Sequence, residues 1–359
     1  MKKKIAALLV TVSLLLTMFA LPVAANPTDV SLEMVEDMPF DEEHWSYEPM
    51  ANLVAMGVVR GYPAETDPDG LRWVKILPDR NITRAEFSVM LVQALNLKPD
   101  NTATPAVFPD VPAGDASVRW FKEAVDILSA RGVIGGYEDG TFRPKNKITR
   151  AEIATMLVKS LNNKGTETSK TFSDVETGRW YAGFVLRAAH LGIINGYSDG
   201  SFKPNKNATR AEVMTMIYQF MWNDDTRPAD DKTLLEVTDA YIEKQLAALA
   251  ARPFDFSGMK PYTTGEKEFN LASEEEAFNL FGDALSINYE KLSAGTVDLK
   301  SDRLAQVSYQ AKLTMKYIAP DTKEEVVAYD NVEFTDYYLL MKIGDKWLIY
   351  SNFDEGITE

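Results

Sequence analysis

One tetrapeptide occurs three times in this chain of 359 residues, each time directly before an apolar run with helical spacing. The copies are Thr83-Arg84-Ala85-Glu86, Thr149-Arg150-Ala151-Glu152 and Thr209-Arg210-Ala211-Glu212. Their period of roughly 60 residues indicates one supersecondary unit used three times, because such units bury their apolar faces against one another. The tetrapeptide therefore assigns a large part of the chain to one repeated architecture.

The second and third repeats share a longer pattern that runs from a glycine-tyrosine pair to a proline, over residues 136–144 and 196–204. Each pattern is preceded by a Phe-x-Asp-Val sequence and a tryptophan: residues 108–111 with Trp120, and residues 172–175 with Trp180. The first repeat is divergent, with Phe40-Asp41, Trp45, Gly61-Tyr62 and an insertion from Pro63 to Leu77. The Asp67–Gly70 run in this insertion lacks the alternating ligands and terminal glutamate of a calcium loop, so a solvated turn is predicted.

Each repeat is predicted to form a helix, a glycine-rich turn and a second helix. Residues 120–130 place apolar side chains on one helical stripe, and Gly132 is typical of a helix C-cap. The stripe consists of Trp120, Ala124, Val125, Ile127 and Leu128. At the second helix, Thr-x-x-Glu predicts a capping box, in which each side chain accepts a hydrogen bond from the backbone N–H of the other residue. Capping thus explains the threonine and the glutamate of the tetrapeptide.

The arginine of the tetrapeptide is not explained by capping. It occupies the first helical position, where the helix dipole disfavours a cation by roughly 0.3–1 kcal/mol. A guanidinium beside free N–H groups at a helix start forms a site for a carboxylate or a phosphate. The alternative is an arginine paired with an aspartate of a neighbouring repeat. Ligand binding is the favoured role for Arg84, Arg150 and Arg210.

Together, these motifs resemble the S-layer homology family, in three consecutive modules over residues 38–222. The resemblance implies a mainly helical, pseudo-threefold prism whose grooves bind secondary cell-wall polysaccharide carrying ketal-linked pyruvate. It implies that the arginines line the grooves and that the glycine-tyrosine pairs shape a platform for the sugar; we include the tryptophans in the same site. The predicted polysaccharide-binding residues are Arg84, Arg150, Arg210, Gly61, Tyr62, Gly136, Tyr137, Gly196, Tyr197, Trp45, Trp120 and Trp180.

The order of segments predicts export followed by attachment to the cell wall. Residues 1–25 join a lysine-rich start to an apolar stretch and a small-residue end, as a secretory signal peptide does. The remaining segments are predicted as an N-terminal segment (26–37), modules at 38–100, 101–164 and 165–222, a polar linker (223–231) and a further domain (232–359). The C-terminus lacks an apolar tail or sorting signal, and no later segment reaches the roughly 20 apolar residues that span a bilayer. Retention in the wall or S-layer is therefore expected to be non-covalent.

Composition excludes several classes of function. The chain has no cysteine, which rules out disulfides, thiolate metal sites and cysteine nucleophiles. His44 and His190 each stand alone at helical positions, so neither a metal nor another cofactor is expected. The formal net charge of −15 argues against nucleic acid as a partner. Because salt screens long-range fields within about 8–10 Å, an anionic polymer would be held by local arginine forks.

The C-terminal region is predicted to be an α+β domain. Helices are expected at residues 233–251 and from Ser273, which would cap a helix with Glu276 as its box partner. Strict alternation over residues 307–317 predicts a half-buried strand. A second strand is expected to shift phase at a bulge near Thr335-Asp336 and to enter a hairpin with a Gly344-Asp345 turn. This order is similar to the nuclear-transport-factor-like cone fold, with its curved antiparallel sheet.

The predicted function is non-catalytic cell-surface anchoring through the three modules, which display a small C-terminal binding or structural domain. One alternative is an anchored enzyme with carboxylate catalysis in the C-terminal domain. The acidic run Glu274-Glu275-Glu276 is assigned to a helix start rather than to catalysis, and no histidine follows residue 190 to activate a serine. A second alternative is a subunit of the S-layer lattice.

Overall fold

The computed structural model describes residues 35–38, 44–66, 72–100, 102–161, 168, 170–224, 228–319 and 322–355. The predicted signal peptide, Phe40-Asp41 and the Asp67–Gly70 run lie outside the described residues. The chain divides into two compact units, one formed by residues 35–53 and 74–227, the other containing residues 54–73 and 228–359. No helix in the described part of the chain is long and apolar enough to cross a membrane.

The repeats are helical, as their sequence predicts, with a pair of helices in each. The first helix of each pair is α1 (Tyr47–Ala55), α3 (Arg119–Ala130) or α5 (Ala182–His190). The second helix is α2 (Arg84–Ala94), α4 (Arg150–Ser160) or α6 (Arg210–Asn223). The first repeat also carries two short paired strands, β1 (Tyr62–Thr66) and β2 (Arg72–Lys75), in the region of its insertion.

All three predicted capping boxes are present. Thr83, Thr149 and Thr209 accept from the backbone N–H groups of the glutamates three residues on, and each glutamate accepts from the threonine N–H. In each tetrapeptide the N–H groups of the arginine and the alanine, which follow the threonine, donate to carbonyls of the adjacent repeat. Arg84 N–H donates to the Asn146 carbonyl at 2.9 Å, and Ala85 N–H donates to the Pro144 carbonyl at 3.1 Å. The N–H groups expected to be free at these helix starts are therefore occupied.

These contacts link the three repeats in a closed cycle. The start of α2 binds the turn of the second repeat, the start of α4 binds the turn of the third, and the start of α6 binds the first. Inside the cycle, Ile148 N–H donates to Ile82, Ala208 N–H donates to Ile148, and Ile82 N–H donates to Ala208. All three side chains are fully buried. The helix starts are thus tied to a shared apolar centre, which fixes where each tetrapeptide points.

Helix α3 ends at a glycine, as predicted, but its buried stripe differs from the prediction. Gly132 takes φ +70°, and the N–H groups of Gly132 and Val133 donate to the carbonyls of Ser129 and Leu128 in a Schellman motif. Trp120 was assigned to the buried stripe, and this is wrong: its side chain is exposed and Phe121 is buried instead. The shift by one position turns the tryptophan toward solvent.

The C-terminal region is α+β, with two helices before an antiparallel sheet. The helices are α7 (Asp231–Ala250) and α8 (Gly265–Phe281). The strands are β3 (Leu285–Lys291), β4 (Thr296–Lys300), β5 (Leu304–Ile318), β6 (Glu325–Ile343) and β7 (Lys346–Glu355). Strand β5 pairs with β6 on one side and with both β3 and β4 on the other, and β6 pairs with β7. Helix α7 contacts β4, β5 and β7, so it covers one face of the sheet.

The core of this region confirms the predicted alternation in β5. Within the predicted alternation, the buried apolar side chains are Val307, Tyr309, Ala311, Leu313 and Met315. They pack with residues of α7 and of the neighbouring strands into one apolar cluster. The Gly344-Asp345 hairpin is also confirmed, because Ile343 pairs with Lys346. Gly344 takes φ +61°, which a side chain would disfavour.

Two sequence predictions for this region are wrong. No helix begins at Ser273, because α8 already starts at Gly265 and runs through this serine; Glu274 forms an ion pair with the buried Lys267 at 3.1 Å. The second strand keeps its phase through Thr335-Asp336. Its register against β5 shifts between Val332 and Val327, and its register against β7 shifts between Leu339 and Leu340. The polar Asp336 therefore faces the interior, a position that hydrophobic alternation assigns to solvent.

Candidate functional site

Three tryptophans occupy corresponding places in the repeats and are exposed in each. Trp45, Trp120 and Trp180 lie at or just before the first helix of their repeats and are 57%, 58% and 62% exposed. Trp120 and Trp180 each contact the following aromatic residue edge-on. A solvated indole face costs free energy unless a ligand covers it. These side chains are the most exposed members of the predicted site.

The tetrapeptide arginines are buried and paired between repeats. Arg84, Arg150 and Arg210 are 7%, 4% and 5% exposed. The Arg84 Nε donates to the Phe142 carbonyl at 2.9 Å, and its Nη1 lies 3.0 Å from Glu152 Oε1. Arg150 repeats this arrangement with the Phe202 carbonyl at 2.8 Å and with Glu212 at 3.3 Å. The Arg210 Nε donates to the Ile76 carbonyl. Each guanidinium thus joins its helix start to the adjacent repeat.

A tyrosine ring lies between the buried arginine and an exposed cation in the second and third repeats. The Tyr137 ring has the Arg84 guanidinium 4.7 Å from its centroid and the Arg143 guanidinium at 4.0 Å. Tyr197 is placed in the same way, with Arg150 at 4.8 Å and Lys203 at 4.0 Å. Such contacts favour a fixed ring position, because the cations are attracted to the face of the ring.

The capping glutamates form ion pairs and hydrogen bonds with the cations and the tyrosine around them. Glu212 accepts from the Tyr197 hydroxyl at 2.6 Å and from Lys206 Nζ at 3.0 Å. Burial acts to raise the pKa of Glu212, but the hydrogen bonds from Tyr197, the Thr209 N–H and Lys206 outweigh burial and lower it. Burial lowers the pKa of Arg150. In the second repeat, burial and the hydrogen bond to Glu152 raise the pKa of Tyr137 to about 12.

The glycines of the glycine-tyrosine pairs are required by close packing. A Cβ atom on Gly136 would lie 2.7 Å from the Phe108 ring, and one on Gly196 would lie 2.5 Å from the Phe172 ring. Both distances are well below van der Waals contact. The phenylalanine of Phe-x-Asp-Val therefore packs directly against the backbone that presents the tyrosine.

The aspartate of Phe-x-Asp-Val has a role that the sequence analysis did not assign. Asp110 accepts from the backbone N–H groups of Phe142 and Arg143 at 2.9 and 2.7 Å, and Asp174 binds the matching pair in the third repeat. In the first repeat Asp37 does the same for Ile76 and Leu77. The first-repeat counterpart is therefore Asp37, where Phe40-Asp41 was expected. The Phe-x-Asp-Val motif before the glycine-rich turn was the available signal for Asp110 and Asp174, and Val35-Glu36-Asp37 departs from that motif.

An open cleft lies in the third repeat beside the exposed tryptophan. Its volume is about 450 Å³, and its lining includes Trp180, the aspartate Asp174 and three cations. The cations are Arg179, Lys203 and Lys206. They are about half exposed, unlike the buried Arg150 behind them. The cleft thus combines these exposed cations with an indole face and two carboxylates, Asp174 and Glu176, and its two lysines also contact the Tyr197 ring.

The turn of the first repeat differs from the other two in the residues that bind its aspartate. Tyr62 opens strand β1, in the region of the insertion. Ile76 and Leu77 take the places that Phe142 and Arg143 hold in the second repeat, since both pairs donate to the equivalent aspartate. At these two positions aliphatic side chains replace Phe142 and Arg143, whereas Arg80 of the first repeat still forms an ion pair with the capping glutamate Glu86 at 2.8 Å.

Comparison with known proteins identifies the repeats. A family model for the S-layer homology domain matches residues 41–88, 108–154 and 171–214. The three matches coincide with the three repeats, which confirms the resemblance drawn from the tetrapeptide.

Similar proteins include both anchoring proteins and enzymes. A cellulosome-anchoring protein of Acetivibrio thermocellus is 32% identical over 172 residues, which cover 46% of this chain and 36% of that protein. The S-layer protein sap of Bacillus anthracis is 28% identical over 299 residues, 82% of this chain and 33% of that protein. An amylopullulanase of Thermoanaerobacterium thermosulfurigenes is 33% identical over 187 residues, 49% of this chain and 9% of that protein. The chain thus spans a third or less of two of these relatives and little more of the other.

Proposed function

The chain carries three S-layer homology domains, and we propose that they anchor it non-covalently to the outside of a cell by binding pyruvylated secondary cell-wall polysaccharide. The relatives named for anchoring and for the S-layer support the location at the cell surface. The signal peptide expected at residues 1–25 supplies the route of export. The proposed location is the cell wall or the S-layer associated with it.

The observation that carries this proposal is the combination of aromatic faces and cations around the third-repeat cleft. Sugar rings present C–H faces that pack on exposed aromatic side chains such as Trp180. A pyruvate ketal adds a carboxylate, which binds cations by charge-assisted hydrogen bonds. Lys203 and Lys206 supply such donors at the cleft. A neutral hexose would use the indole face and offer these lysines no carboxylate.

The buried arginines belong to the proposed site through the surfaces that they hold. Arg84 and Arg150 fix the positions of Tyr137 and Tyr197 from behind and place positive charge beneath each platform. Arg210 binds the first-repeat turn in the same manner. Because these guanidinium groups are buried in ion pairs, we assign direct contact with the carboxylate to the exposed cations. The glycine-tyrosine pairs then form the platform, as the resemblance implies.

The C-terminal domain is proposed to be a non-catalytic module with the nuclear-transport-factor-like fold. Its two helices precede an antiparallel sheet with long central strands, an order which that fold shares. Two of its buried carboxylates, Asp336 and Asp354, are paired across β6 and β7 and are 3% and 4% exposed, so this pair is not open to a polysaccharide. No partner is assigned to this module.

A lattice role is the second candidate function. The alignment with the S-layer protein covers 299 residues, more than the repeats contain, so it extends beyond them. The amylopullulanase aligns over 187 residues, whereas an endoglucanase of Bacillus sp. aligns over 292, so long alignments are not confined to S-layer proteins. Self-assembly of the purified chain into sheets visible by electron microscopy would favour the lattice role.

Sedimentation with cell-wall sacculi tests the anchoring proposal. The full chain is expected to sediment with native sacculi and to remain in solution with sacculi stripped of pyruvate. Trp180→Ala is expected to weaken sedimentation without unfolding the chain, because the indole is largely exposed. Leu299→Ala, at a comparably exposed apolar residue of the C-terminal domain, serves as the control. Equal binding to both kinds of sacculi would contradict recognition of the pyruvate.

A further inference from the structure

The three repeats are equivalent in backbone structure at two positions where their side chains differ. The first position holds Leu77, Arg143 and Lys203, with φ +56°, +58° and +58°. The N–H groups of these residues donate to Asp37, Asp110 and Asp174. Because these three residues share a backbone conformation and a hydrogen bond, their side chains can be compared one by one.

The second position is defined by the cycle of backbone hydrogen bonds. The carbonyls of Arg80, Asn146 and Lys206 accept from the N–H groups of Arg210, Arg84 and Arg150 at 2.9, 2.9 and 3.0 Å. The backbone role is therefore fulfilled whatever side chain is present. The side chains at this position are free to differ in charge without breaking the cycle.

The combination of the two positions separates the repeats by charge. The first repeat has an aliphatic residue and then a cation, the second has a cation and then a neutral amide, and the third has lysine at both. In the third repeat both ammonium groups face one aromatic ring. Lys203 Nζ lies 4.0 Å and Lys206 Nζ 5.2 Å from the centroid of Tyr197. The doubled cation therefore lies directly at the platform proposed for the sugar.

Nearby carboxylates neutralise these lysines only in part. Lys203 lies 3.4 Å from Asp199, and Lys206 lies 3.0 Å from Glu212. Glu212 also forms an ion pair with Arg150 and accepts from Tyr197 and from the Thr209 N–H. Glu212 thus serves two cations, Lys206 and Arg150, while Arg179 of the same cleft pairs with Glu176 at 2.9 Å. The Lys203 and Lys206 side chains are about half exposed, so each ammonium group keeps N–H donors for a ligand carboxylate.

We infer that the third-repeat cleft is the principal site for the anionic sugar, and that Lys206 is the residue that ranks it above the second repeat. This inference rests on the proposed function and goes further by ordering the repeats. The Lys206 ammonium is about half exposed at the cleft, so it can donate to a ligand carboxylate while Glu212 holds its other side. The second repeat offers Asn146 in its place, which has no charge to contribute.

Exchange of side chains between equivalent positions tests the inference in the full chain. Lys206→Asn copies the second repeat into the third, and Lys206→Arg copies the first and keeps the charge. Asn146→Lys adds the third-repeat cation to the second repeat. The probe is purified pyruvylated wall polysaccharide, with the same polymer after removal of pyruvate as the control. Binding is measured by calorimetry at two salt concentrations, and a thermal melt of each variant checks that it is folded.

Lys206→Asn is expected to weaken binding at least about tenfold, as loss of one charge-assisted hydrogen bond does, and to reduce the salt dependence. Lys206→Arg is expected to bind within a few-fold of the natural chain, and Asn146→Lys is expected to restore binding in the Lys206→Asn background. Unchanged binding by a folded Lys206→Asn variant would overturn the ranking while leaving the anchoring function intact. Failure of the natural chain to distinguish the two polymers would overturn both proposals.

Discussion

The stability of the C-terminal domain is expected to depend on pH, because the domain buries the carboxyl group of Asp336. Asp336 faces the interior of the sheet, where its Oδ2 accepts from the hydroxyls of Tyr289 and Tyr338 at 2.8 and 2.6 Å. Its other oxygen is buried and makes no hydrogen bond to a described residue. Asp354 pairs with Asp336 in register across β6 and β7, and Lys267 of α8 is the nearby cation. Burial raises the pKa of Asp336 to about 6, the tyrosine hydrogen bonds oppose this, and Asp354 adds to it.

The sign of the effect follows from the two protonation states. An unfolded aspartate titrates at 3.8 and the folded one at about 6, so the folded state keeps its proton longer as pH rises. Below about pH 4 both states are protonated and the group makes no difference. Above about pH 6 the ionised carboxylate is buried in the folded state. The free energy of unfolding therefore falls by about 3 kcal/mol across this interval, since each pKa unit is worth 1.36 kcal/mol.

Asp336→Asn removes this dependence while keeping the shape of the side chain. The amide oxygen can accept from both tyrosines, and the amide nitrogen takes the place of the oxygen beside Asp354. We expect the variant to lack the fall in stability between about pH 4 and pH 7, and to exceed the natural chain in stability at pH 7. Hydrogen exchange of amides in β5 and β6, corrected for intrinsic rates, measures this locally in the full chain.

Asp345→Asn provides the matched control, because it removes an aspartate from the exposed turn between β6 and β7. That variant is expected to follow the natural chain at every pH. If Asp336→Asn retains the full pH dependence, the proton is not held by Asp336 and the reasoning from its burial is refuted.

Three further predictions concern the repeats and the domain boundary. Arg150→Ala is expected to cost about 3 kcal/mol of stability, because it leaves Glu212 with one cation fewer. The cap variant Thr149→Ala is expected to cost less, about 0.5–2 kcal/mol. Urea melts of both variants check this order, and equal losses would contradict the buried pair. Gly196→Ala is expected to cost about 1–3 kcal/mol, because its Cβ would overlap the Phe172 ring; an unchanged melting temperature would show that the ring can move aside. The fragment of residues 232–359 is expected to melt cooperatively by itself, to stay in solution with sacculi and to leave wall glycan intact, since its helices and sheet share one core; a disordered fragment would contradict the boundary, and hydrolysis of wall glycan would favour the anchored enzyme.

Local signals in the sequence were enough to predict the helix starts of the repeats. The capping box involves residues three positions apart, so its geometry follows from the sequence alone, and all three boxes are present. The strand of alternating residues around Tyr309 was predictable for the same reason. The hairpin at Gly344 was predictable because a two-residue Gly-Asp connection is typical of the tight turns that join antiparallel strands.

Contacts between distant residues were not predictable in this way. Nothing within the tetrapeptide indicates that Arg84 N–H donates to a carbonyl 62 positions away, at Asn146, so its helix start was expected to be free for an anion. Trp120 was assigned to a buried stripe because periodicity leaves an ambiguity of one position at the end of a helix. A bulge was predicted near Thr335-Asp336 because hydrophobic alternation has no place for a buried carboxyl, whereas Asp336 is buried and held by two tyrosines.

The cycle of contacts divides the repeat positions into two groups: those whose side chains the fold requires, and those whose side chains can vary. The threonine, arginine and glutamate of each tetrapeptide are fixed by the fold, because they cap a helix and bind the adjacent repeat at once. Their repetition in the chain is therefore explained without a ligand. Where backbone atoms alone complete the cycle, as at Arg80, Asn146 and Lys206, the side chains are released from that constraint and differ in charge. The selectivity that we propose among the three repeats therefore belongs to these variable positions, next to the motif rather than within it.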